Sequence, residues 1–377
     1  MNAARRASLA CLLALTVVVP LGGGPAAGAR TCQSWGTQLP DVGGDRSILR
    51  GVAVLSRCDV WAVGYRFTGG IWQTLIVHWD GRAWSVQPSP SPSVDQNRLD
   101  GVVALSPRNA WAVGEHYAGG EPRTLIVHWD GTTWTKVKSP TPGSGGAGLA
   151  DIAAASATDI WAVGSRSDAE TRTLALHWNG SVWKTAATPN VGDGENVLVG
   201  VAAVAGDLVR AVGHSIPASA DRTLILRWNG AAWRVAKSPN PGTTQNYLMD
   251  VSATGPGNAW AVGVRQDGAG TRTLALRWNG SAWRAAKSPH VAGATDSRFD
   301  GVVAVSATEA WAVGDSWDGG PHALVQHWDG TRWRIAPVDE LGTSTDLSDV
   351  DASSPANVWA VGSYAGVTDQ PFVLHCC

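Results

Sequence analysis

The motif Trp-Ala-Val-Gly recurs along the chain at almost constant intervals. Six copies are intact, and a degenerate copy that begins at Arg210 fills the gap between the third and the next. The intact copies begin at Trp61, Trp111, Trp161, Trp260, Trp311 and Trp359. Successive copies are 48 to 51 residues apart, and self-similarity at such a period is typical of repeat architectures. The sequence therefore predicts seven copies of one structural unit.

Each unit reads as four short strands. In the second unit the strands are predicted at 99–105, 110–114, 124–129 and 133–137. An Asp-Gly or Asn-Gly pair joins the last two strands, and these residues accept the positive φ of a tight hairpin turn. The strands are apolar on both faces, which indicates sheets that are covered on both sides.

Side-chain size increases along each unit, from Gly, Val and Ala in the first strand to Trp in the other three. A sheet of this kind is a wedge, narrow at one edge and wide at the other. Wedge-shaped, four-stranded sheets arranged around an axis are the blades of a propeller. The predicted fold is therefore all-β, a seven-bladed β-propeller of four-stranded antiparallel blades.

The seventh unit lacks a fourth strand, because its third strand at 372–376 is followed by Cys377 alone. Trp35 lies 26 residues before Trp61, and in the other units the fourth-strand Trp precedes the next motif by 26 to 28 residues. We therefore predict that residues 31–39 complete the last blade. Residues 30–377 would then form a single propeller domain, which we expect to be a monomer.

The first 29 residues have the pattern of a secretory signal. Arg5 and Arg6 precede an apolar run at 9–21, and the small residues at 27–29 suit signal peptidase. No later stretch reaches the ~20 apolar residues that span a bilayer. The sequence predicts a signal peptide at 1–29 and a secreted, extracellular product of bacterial style without a membrane anchor.

Four cysteines follow the predicted signal, and all are expected close to the point where the two ends of the chain meet: Cys32, Cys58, Cys376 and Cys377. In an exported protein such a group favours disulfide bonds. Of the three possible pairings, we favour Cys32–Cys377 together with Cys58–Cys376. A metal site is the alternative interpretation, but the spacing resembles no zinc module.

Charge and motif content exclude several classes of protein. The formal net charge of −2 over 377 residues argues against nucleic acid or an anionic membrane as the partner. Phosphate-loop and dinucleotide glycine fingerprints are absent in a strand-to-helix context, so we expect no cofactor. One repeat position holds a histidine in five units: His78, His128, His177, His327 and His375. Equivalent positions lie far apart around a ring, so we expect a structural role for these histidines and no metal site.

Residues that differ between the units are the candidates for function, and they follow each Val-Gly motif directly. This point is expected at the mouth of the central channel. Arg66, Arg166 and Arg265 share one position in alternate units, and three guanidinium groups would hold a carboxylate or sulfate there. The neighbouring candidates for polar contacts or acid-base chemistry are Glu115, His116, His214 and Asp315.

Two tryptophans fall outside the repeat. The chain has 21 Trp against 4 Tyr and 3 Phe. Three positions in seven units, less the two that hold Arg210 and Cys376, account for 19 of them. Trp72 and Trp317 are left over, and exposed aromatic side chains of this kind stack on sugars or anchor a protein partner. Trp317 therefore joins the predicted ligand-binding residues. The alternative is that all these residues are solvated loop entries.

The first unit, with Val-Leu-Ser, Val-Trp-Ala-Val-Gly and Val-His-Trp-Asp-Gly, resembles the kelch repeat of galactose-oxidase-like propellers. The resemblance covers residues 30–377 and departs from kelch by one Gly instead of two and by Trp instead of Tyr in the third strand. It implies a propeller and no single activity. We predict a binding module that recognises an extracellular glycan or protein at the channel mouth. The alternative is an enzyme, a lyase or glycosidase, with an acid-base site in the channel.

Overall fold

Short strands separated by tight turns make up the described structure. The computed structural model describes residues 34–217, 220–268, 270–339, 344–366 and 368–376. Strand β1 (Trp35–Gln38) comes first. Blade 1 follows with β2 (Arg46–Ser56), β3 (Asp59–Thr68), β4 (Ile71–Trp79) and β5 (Trp84–Gln87). Blade 2 contains β6 (Asn97–Ser106), β7 (Asn109–Ala118), β8 (Glu121–Trp129) and β9 (Trp134–Val137).

The next three blades repeat this order. Blade 3 contains β10 (Ala147–Ser156), β11 (Asp159–Ser167), β12 (Thr171–Trp178) and β13 (Trp183–Ala186). Blade 4 contains β14 (Glu195–Ala205), β15 (Leu208–Ile216), β16 (Arg222–Trp228) and β17 (Trp233–Ala236). Blade 5 contains β18 (Asn246–Gly255), β19 (Asn258–Asp267), β20 (Gly270–Trp278) and β21 (Trp283–Ala286).

The last two blades bring the chain back to its start. Blade 6 contains β22 (Asp296–Ser306), β23 (Glu309–Trp317), β24 (Pro321–Trp328) and β25 (Trp333–Ala336). Blade 7 contains β26 (Thr345–Ser354), β27 (Asn357–Ala365) and β28 (Asp369–Cys376). Its fourth strand is β1, which pairs antiparallel with β28. The prediction of a seven-bladed propeller closed by the N-terminal strand is confirmed.

The tryptophan of the second strand fastens each blade to the following one. The ring of Trp61 in blade 1 lies 5.1 Å from Trp129 and 5.2 Å from Trp134 of blade 2. The same packing occurs at Trp111, Trp161, Trp260 and Trp359, the last of which closes the ring against blade 1. Because large aromatic side chains bury the most apolar area, the repeated tryptophans serve the scaffold.

Two interfaces depart from this pattern and are filled in other ways. Arg210 replaces the blade 4 tryptophan, and its guanidinium carbon lies 5.4 Å from the ring of Trp278 in blade 5. In blade 7 the third-strand tryptophan is replaced by Cys376, which pairs with Trp35. Trp35 reaches back to blade 6, where its ring lies 5.4 Å from Trp311. Strand β1 thus supplies both a sheet edge and an interface side chain.

The repeated histidines act inside their own blades. His375 stacks on Trp359 with the ring centroids 3.8 Å apart, and Nε2 of His78 lies 2.8 Å from Oδ1 of Asp59 at the start of the same blade's second strand. His128, His177 and His327 make equivalent contacts. Within the described ranges, no group of three or more His, Cys, Asp or Glu residues is placed to hold a metal ion.

Several predictions fall on residues that are not described. The signal at 1–29, Cys32 and Cys377 lie outside the described residues. Cys58 and Cys376 are not free thiols, but their pairing stays a prediction. In the part of the chain that is described, no helix is long and apolar enough to cross a membrane.

Candidate functional site

The innermost strand of every blade has two register shifts, and the first of them, which we call the bulge, leaves one residue without a partner in the ladder. In blade 1, Leu49 pairs with Gly64 and Gly51 pairs with Val63, so that Arg50 has no partner in the ladder. A β-bulge of this kind bends the strand and redirects a side chain. The seven bulge residues are Arg50, Asp100, Ala150, Val199, Met249, Asp300 and Ser348.

All seven bulge residues line one cavity of about 400 Å³, which we call the mouth cavity. Tyr65, Glu115 and Ser165, which follow Val-Gly in blades 1 to 3, also line it. The bulge residues are acidic, basic, small or apolar, and the repeat fixes none of them. The mouth cavity is therefore a part of the channel where the blades differ from one another.

Asp and Gly occupy the position after the bulge, and they alternate over most of the ring: Gly51, Gly101, Asp151, Gly200, Asp250, Gly301 and Asp349. Each Asp accepts a hydrogen bond at Oδ2 from a backbone N–H of the following blade. The donors are Val201 to Asp151 at 2.7 Å, Val302 to Asp250 at 2.7 Å and Val52 to Asp349 at 2.9 Å. These three carboxyls tie blades 3 to 4, 5 to 6 and 7 to 1.

The alternating glycines leave room for the aspartates. A Cβ atom on Gly200 would lie 2.8 Å from the Cα of Asp250, closer than packed atoms approach one another. Since seven is an odd number, the alternation must fail once, and it fails at blades 1 and 2. A second cavity of about 200 Å³ opens between these two blades.

Burial raises the pKa of the inner carboxyls. The pKa of Asp151 rises to about 8 because the carboxyl is buried and close to Asp250. Burial also raises the pKa of Asp250 and of Asp300 to about 6. The pKa of Asp349 lies well above its usual range, through burial and the nearby Asp250. A cation that enters the cavity would favour the ionised forms.

An arginine and two acidic residues form the same cluster in blades 2 and 6. In blade 2, Nε of Arg98 lies 3.1 Å from Asp100, and Nη2 lies 3.3 Å from Glu115. In blade 6, Nε of Arg298 lies 3.1 Å from Asp300 and 2.6 Å from Asp315. Glu115 and Asp315, two of the predicted site residues, are therefore equivalent and buried. Glu115 lines the mouth cavity.

The three predicted anion-binding arginines are not brought together. Nη1 of Arg66 donates to the carbonyl of Val42 at 2.8 Å. Arg166 forms an ion pair with Asp168, and Nη1 of Arg265 lies 2.7 Å from Asp267. Within the described ranges, none of the three lines the mouth cavity. Each guanidinium is held by a local partner, and ligand binding by these residues stays a prediction.

The two predicted histidines lie apart from the acidic residues. His116 follows Glu115 on β7, so its side chain points to the opposite face, and its Nε2 lies 3.3 Å from Nζ of Lys136. Burial lowers the pKa of His116, and Lys136 lowers it further. His214 contacts the ring of Tyr247 at 4.4 Å, and burial lowers its pKa too. Among the described residues, no hydrogen bond joins either histidine to Glu115 or Asp315.

The mouth cavity is rich in carboxyl groups. Six carboxyl groups line it against two guanidinium groups: Asp100, Glu115, Asp151, Asp250, Asp300 and Asp349 against Arg50 and Arg98. Burial keeps a proton on some of these carboxyls near neutral pH, Asp151 among them, and an entering cation would favour their ionised forms. The arrangement is suited to holding a cationic group. Trp317, the exposed predicted residue, lies at the end of β23 with 46% of its surface accessible.

Sequence reasoning found Glu115 but missed the bulge residues and the three inner aspartates. A signal was present, because the residue before the Gly or Asp of each first strand changes in nearly every unit while its neighbours repeat. The alternating Asp and Gly were visible as well. The sequence did not predict the bulge, which directs the variable side chain of each first strand into the channel.

The chain is a seven-bladed β-propeller with a variable cavity at one mouth of its channel. No protein-family model matches it, and no curated protein matches it either. It is similar in structure to YCF48 bound to a D1 peptide, at 14% identity and a TM-score of 0.58, over 92% of this chain and 97% of that one.

Two further solved structures are similar. The extracellular domain of a one-component system from B. thetaiotaomicron aligns at 12% identity with a TM-score of 0.55, over 92% of this chain and 40% of that one. The six-bladed fucose-binding lectin of Aleuria aurantia aligns at 12% identity over 78% of this chain and 96% of that one, with a TM-score of 0.49. At these identities the first two comparisons show the fold alone, and the third carries no argument.

Proposed function

We propose that the chain is a binding module that holds a segment of an extracellular protein in the mouth cavity. The observation that supports this most is the lining: one bulge residue from every blade, none of them fixed by the repeat, around about 400 Å³ of space. A rigid scaffold that carries variable residues in a recess is the usual design of a binding site. YCF48, a structural neighbour, is bound to a peptide, which agrees with this use of a propeller.

The proposal is tested by selecting random peptides from a displayed library on the purified protein and then blocking the cavity. Ala150 lines the cavity as a bulge residue, so Ala150→Trp fills part of the space without removing a charged contact. We expect selected peptides to lose at least about tenfold in affinity for this variant. Calorimetry or fluorescence anisotropy measures the change.

A matched control adds the same tryptophan side chain at a surface position away from the mouth cavity. Ala231 is exposed in the turn between β16 and β17, and Ala231→Trp should bind the same peptides with unchanged affinity. Equal affinity of the wild type and Ala150→Trp would show that the peptides bind elsewhere. Failure to select any peptide would reject a protein segment as the ligand.

A glycan is the second candidate, and the exposure of Trp317, at 46%, favours it. Exposed, flat aromatic rings can stack on sugar faces. A glycan array probed with the wild type and with Trp317→Ala tests this alternative. Binding that disappears in Trp317→Ala would support a glycan, and an array without any signal would reject it.

We also propose export and a covalent clasp at the meeting point of the two termini. Export is supported by the signal pattern at 1–29 and the clasp by Cys58 and Cys376, neither of which is a free thiol. Amino-terminal sequencing of the secreted protein and non-reducing peptide mapping test both proposals. Kelch-like ancestry, supported by the repeat motifs alone, is a proposal of the same kind.

A further inference from the structure

The second cavity, about 200 Å³ in volume, lies between blades 1 and 2 beside the mouth cavity. We call it the side cavity. Its walls include Tyr65, Trp72 and Tyr117 together with Arg98 and Glu115. Tyr65, Arg98 and Glu115 line both cavities. A ligand in the mouth cavity can therefore extend a side chain into the side cavity.

The aromatic walls are not a product of the repeat. The chain has only 4 Tyr, and two of them meet here. Trp72, one of the two tryptophans outside the repeat, makes an edge contact with Tyr65, with the ring centroids 5.1 Å apart. In other blades the position of Tyr65 is occupied by residues such as Ser165 and Val264. The rings are a local feature of blades 1 and 2.

An acidic group lies among these rings. Glu115 is only 8% exposed, and its carboxylate lies 3.3 Å from the guanidinium of Arg98. Burial raises the pKa of Glu115, while Arg98 and a hydrogen bond from Tyr117 oppose that rise. Arg98 also lies 3.1 Å from Asp100, and Nε of Arg50 lies 3.9 Å from the same carboxyl. Of the two carboxyl groups, Glu115 is the one that lines the side cavity, away from Arg50.

Aromatic faces and a buried carboxylate together favour a cation over a neutral group. Trp72 already illustrates this, because the guanidinium carbon of Arg46 lies 5.8 Å from its ring centroid. The adjoining mouth cavity is lined by six carboxyl groups and two guanidinium groups, and a cation there would favour the ionised form of those carboxyls. A planar guanidinium or a compact ammonium group suits a space of about 200 Å³.

We propose that the side cavity binds an arginine or lysine side chain of the protein segment held in the mouth cavity. This inference rests on the proposed function and names the residue type that the site selects. The aromatic rings contact the cationic group, and Glu115 supplies the opposite charge.

The first arm of the test uses small probes, which need no selected peptide. N-acetyl-arginine amide and N-acetyl-citrulline amide have nearly the same shape but differ in charge. Ligand-observed NMR should show the arginine probe binding about tenfold more tightly than the citrulline probe. N-acetyl-lysine amide against N-acetyl-norleucine amide extends the comparison to lysine. Equal binding of charged and neutral probes, or no binding of any, would overturn the inference.

Substitutions in the side cavity test whether the arginine probe binds there. Glu115→Gln and Trp72→Leu should each weaken the arginine probe by about tenfold. Glu170→Gln, at an exposed ion pair of blade 3, and Tyr364→Leu, at an aromatic contact of blade 7, should leave it unchanged. Glu115→Gln changes few atoms, so it keeps the test valid if Trp72→Leu fails to fold. An unaltered affinity in a folded Glu115→Gln protein would count against the side cavity.

The second arm separates this inference from the proposed function. Peptides selected on the wild type should carry Arg or Lys at one fixed position. Replacement of that residue by citrulline or norleucine should lower the affinity by about tenfold. Peptides selected without any basic residue would overturn the inference and leave the proposed function standing. An arginine probe that binds while no peptide is selected would support the cavity's preference and reject the protein segment.

Discussion

At the scale of single residues, the channel is organised by the inner aspartates and glycines. Each Asp supplies an acceptor to a backbone N–H of the next blade, as Asp151 does for Val201 at 2.7 Å. Oδ1 of Asp151 accepts the N–H of Ile152, also at 2.7 Å. A buried acceptor without a donor is costly, and so is a buried donor without an acceptor. The aspartates therefore serve the scaffold as well as the acidity of the mouth.

The pH dependence of stability follows from these carboxyls. Burial and Asp250 raise the pKa of Asp151 from 3.8 to about 8, so between these values the folded state retains a proton that the unfolded state has lost. The contribution of this proton to the free energy of unfolding must then fall as pH rises from 6.5 to 8, by at most about 1.4 kcal/mol per pH unit. Urea unfolding at several pH values measures the slope of the free energy against pH, which should be less negative in Asp151→Asn than in the wild type.

A control isolates that carboxyl. Hydrogen bonds from Thr132 and Thr133 lower the pKa of Asp130 to about 2, far below the pH range tested, so Asp130→Asn should keep the wild-type slope. The histidines with lowered pKa values, such as His375 at about 4, add an opposite slope up to about pH 7.5, because they titrate at about 6.5 in the unfolded state, and this slope is common to the wild type and both variants. Identical slopes in Asp151→Asn and the wild type would contradict the assignment.

The glycines of the inner ring make a second residue-scale prediction. A Cβ on Gly200 would lie 2.8 Å from the backbone of Asp250. Gly200→Ala should therefore lower the free energy of unfolding by about 1–3 kcal/mol, because the blades must move apart. At Gly255 nothing lies within 4 Å of the added atom, so Gly255→Ala is the matched control and should change stability by about 0.5 kcal/mol or less. Equal losses in both variants would refute the packing argument.

At the scale of elements, most of the architecture was predictable because each strand carries its own signal. The predicted strand 99–105 lies inside β6, and the turn pairs fall between the third and fourth strands as expected. The closing strand was predictable from the missing fourth strand of the seventh unit together with the spacing of Trp35. The bulges were not, because an extra residue in an apolar strand leaves the pattern of hydrophobic residues almost unchanged.

The closing strand carries a prediction of its own. Trp35 is 8% exposed and packs against Trp311 of blade 6. Trp35→Ala should lower the free energy of unfolding by about 3–5 kcal/mol, measured by chemical denaturation. Trp317→Ala, at a side chain that is 46% exposed, should cost about 0.5 kcal/mol or less. A melting temperature that is unchanged by Trp35→Ala, or by removal of residues 31–39, would contradict closure by β1.

At the scale of the whole molecule, the ring separates scaffold from site. The tryptophans that recur in the blades pack at the interfaces between blades. The residues that vary between blades line the mouth cavity, where the seven bulges place them. This division explains why the sequence predicted the fold well and the candidate site in part. A repeated motif is visible in the sequence and predicts the scaffold. The residues of the site lie about fifty positions apart in the sequence, and only the folded ring determines which of their side chains face the same cavity.

Photo-cross-linking tests the location of binding most directly. A library-selected peptide that carries a diazirine group is irradiated on the wild-type protein, and the adducts are mapped by mass spectrometry. We predict adducts on the innermost strands, at or beside bulge residues such as Ala150, Val199 and Met249, which line the mouth cavity. Adducts confined to the outermost strands, such as β17 or β25, would contradict the account.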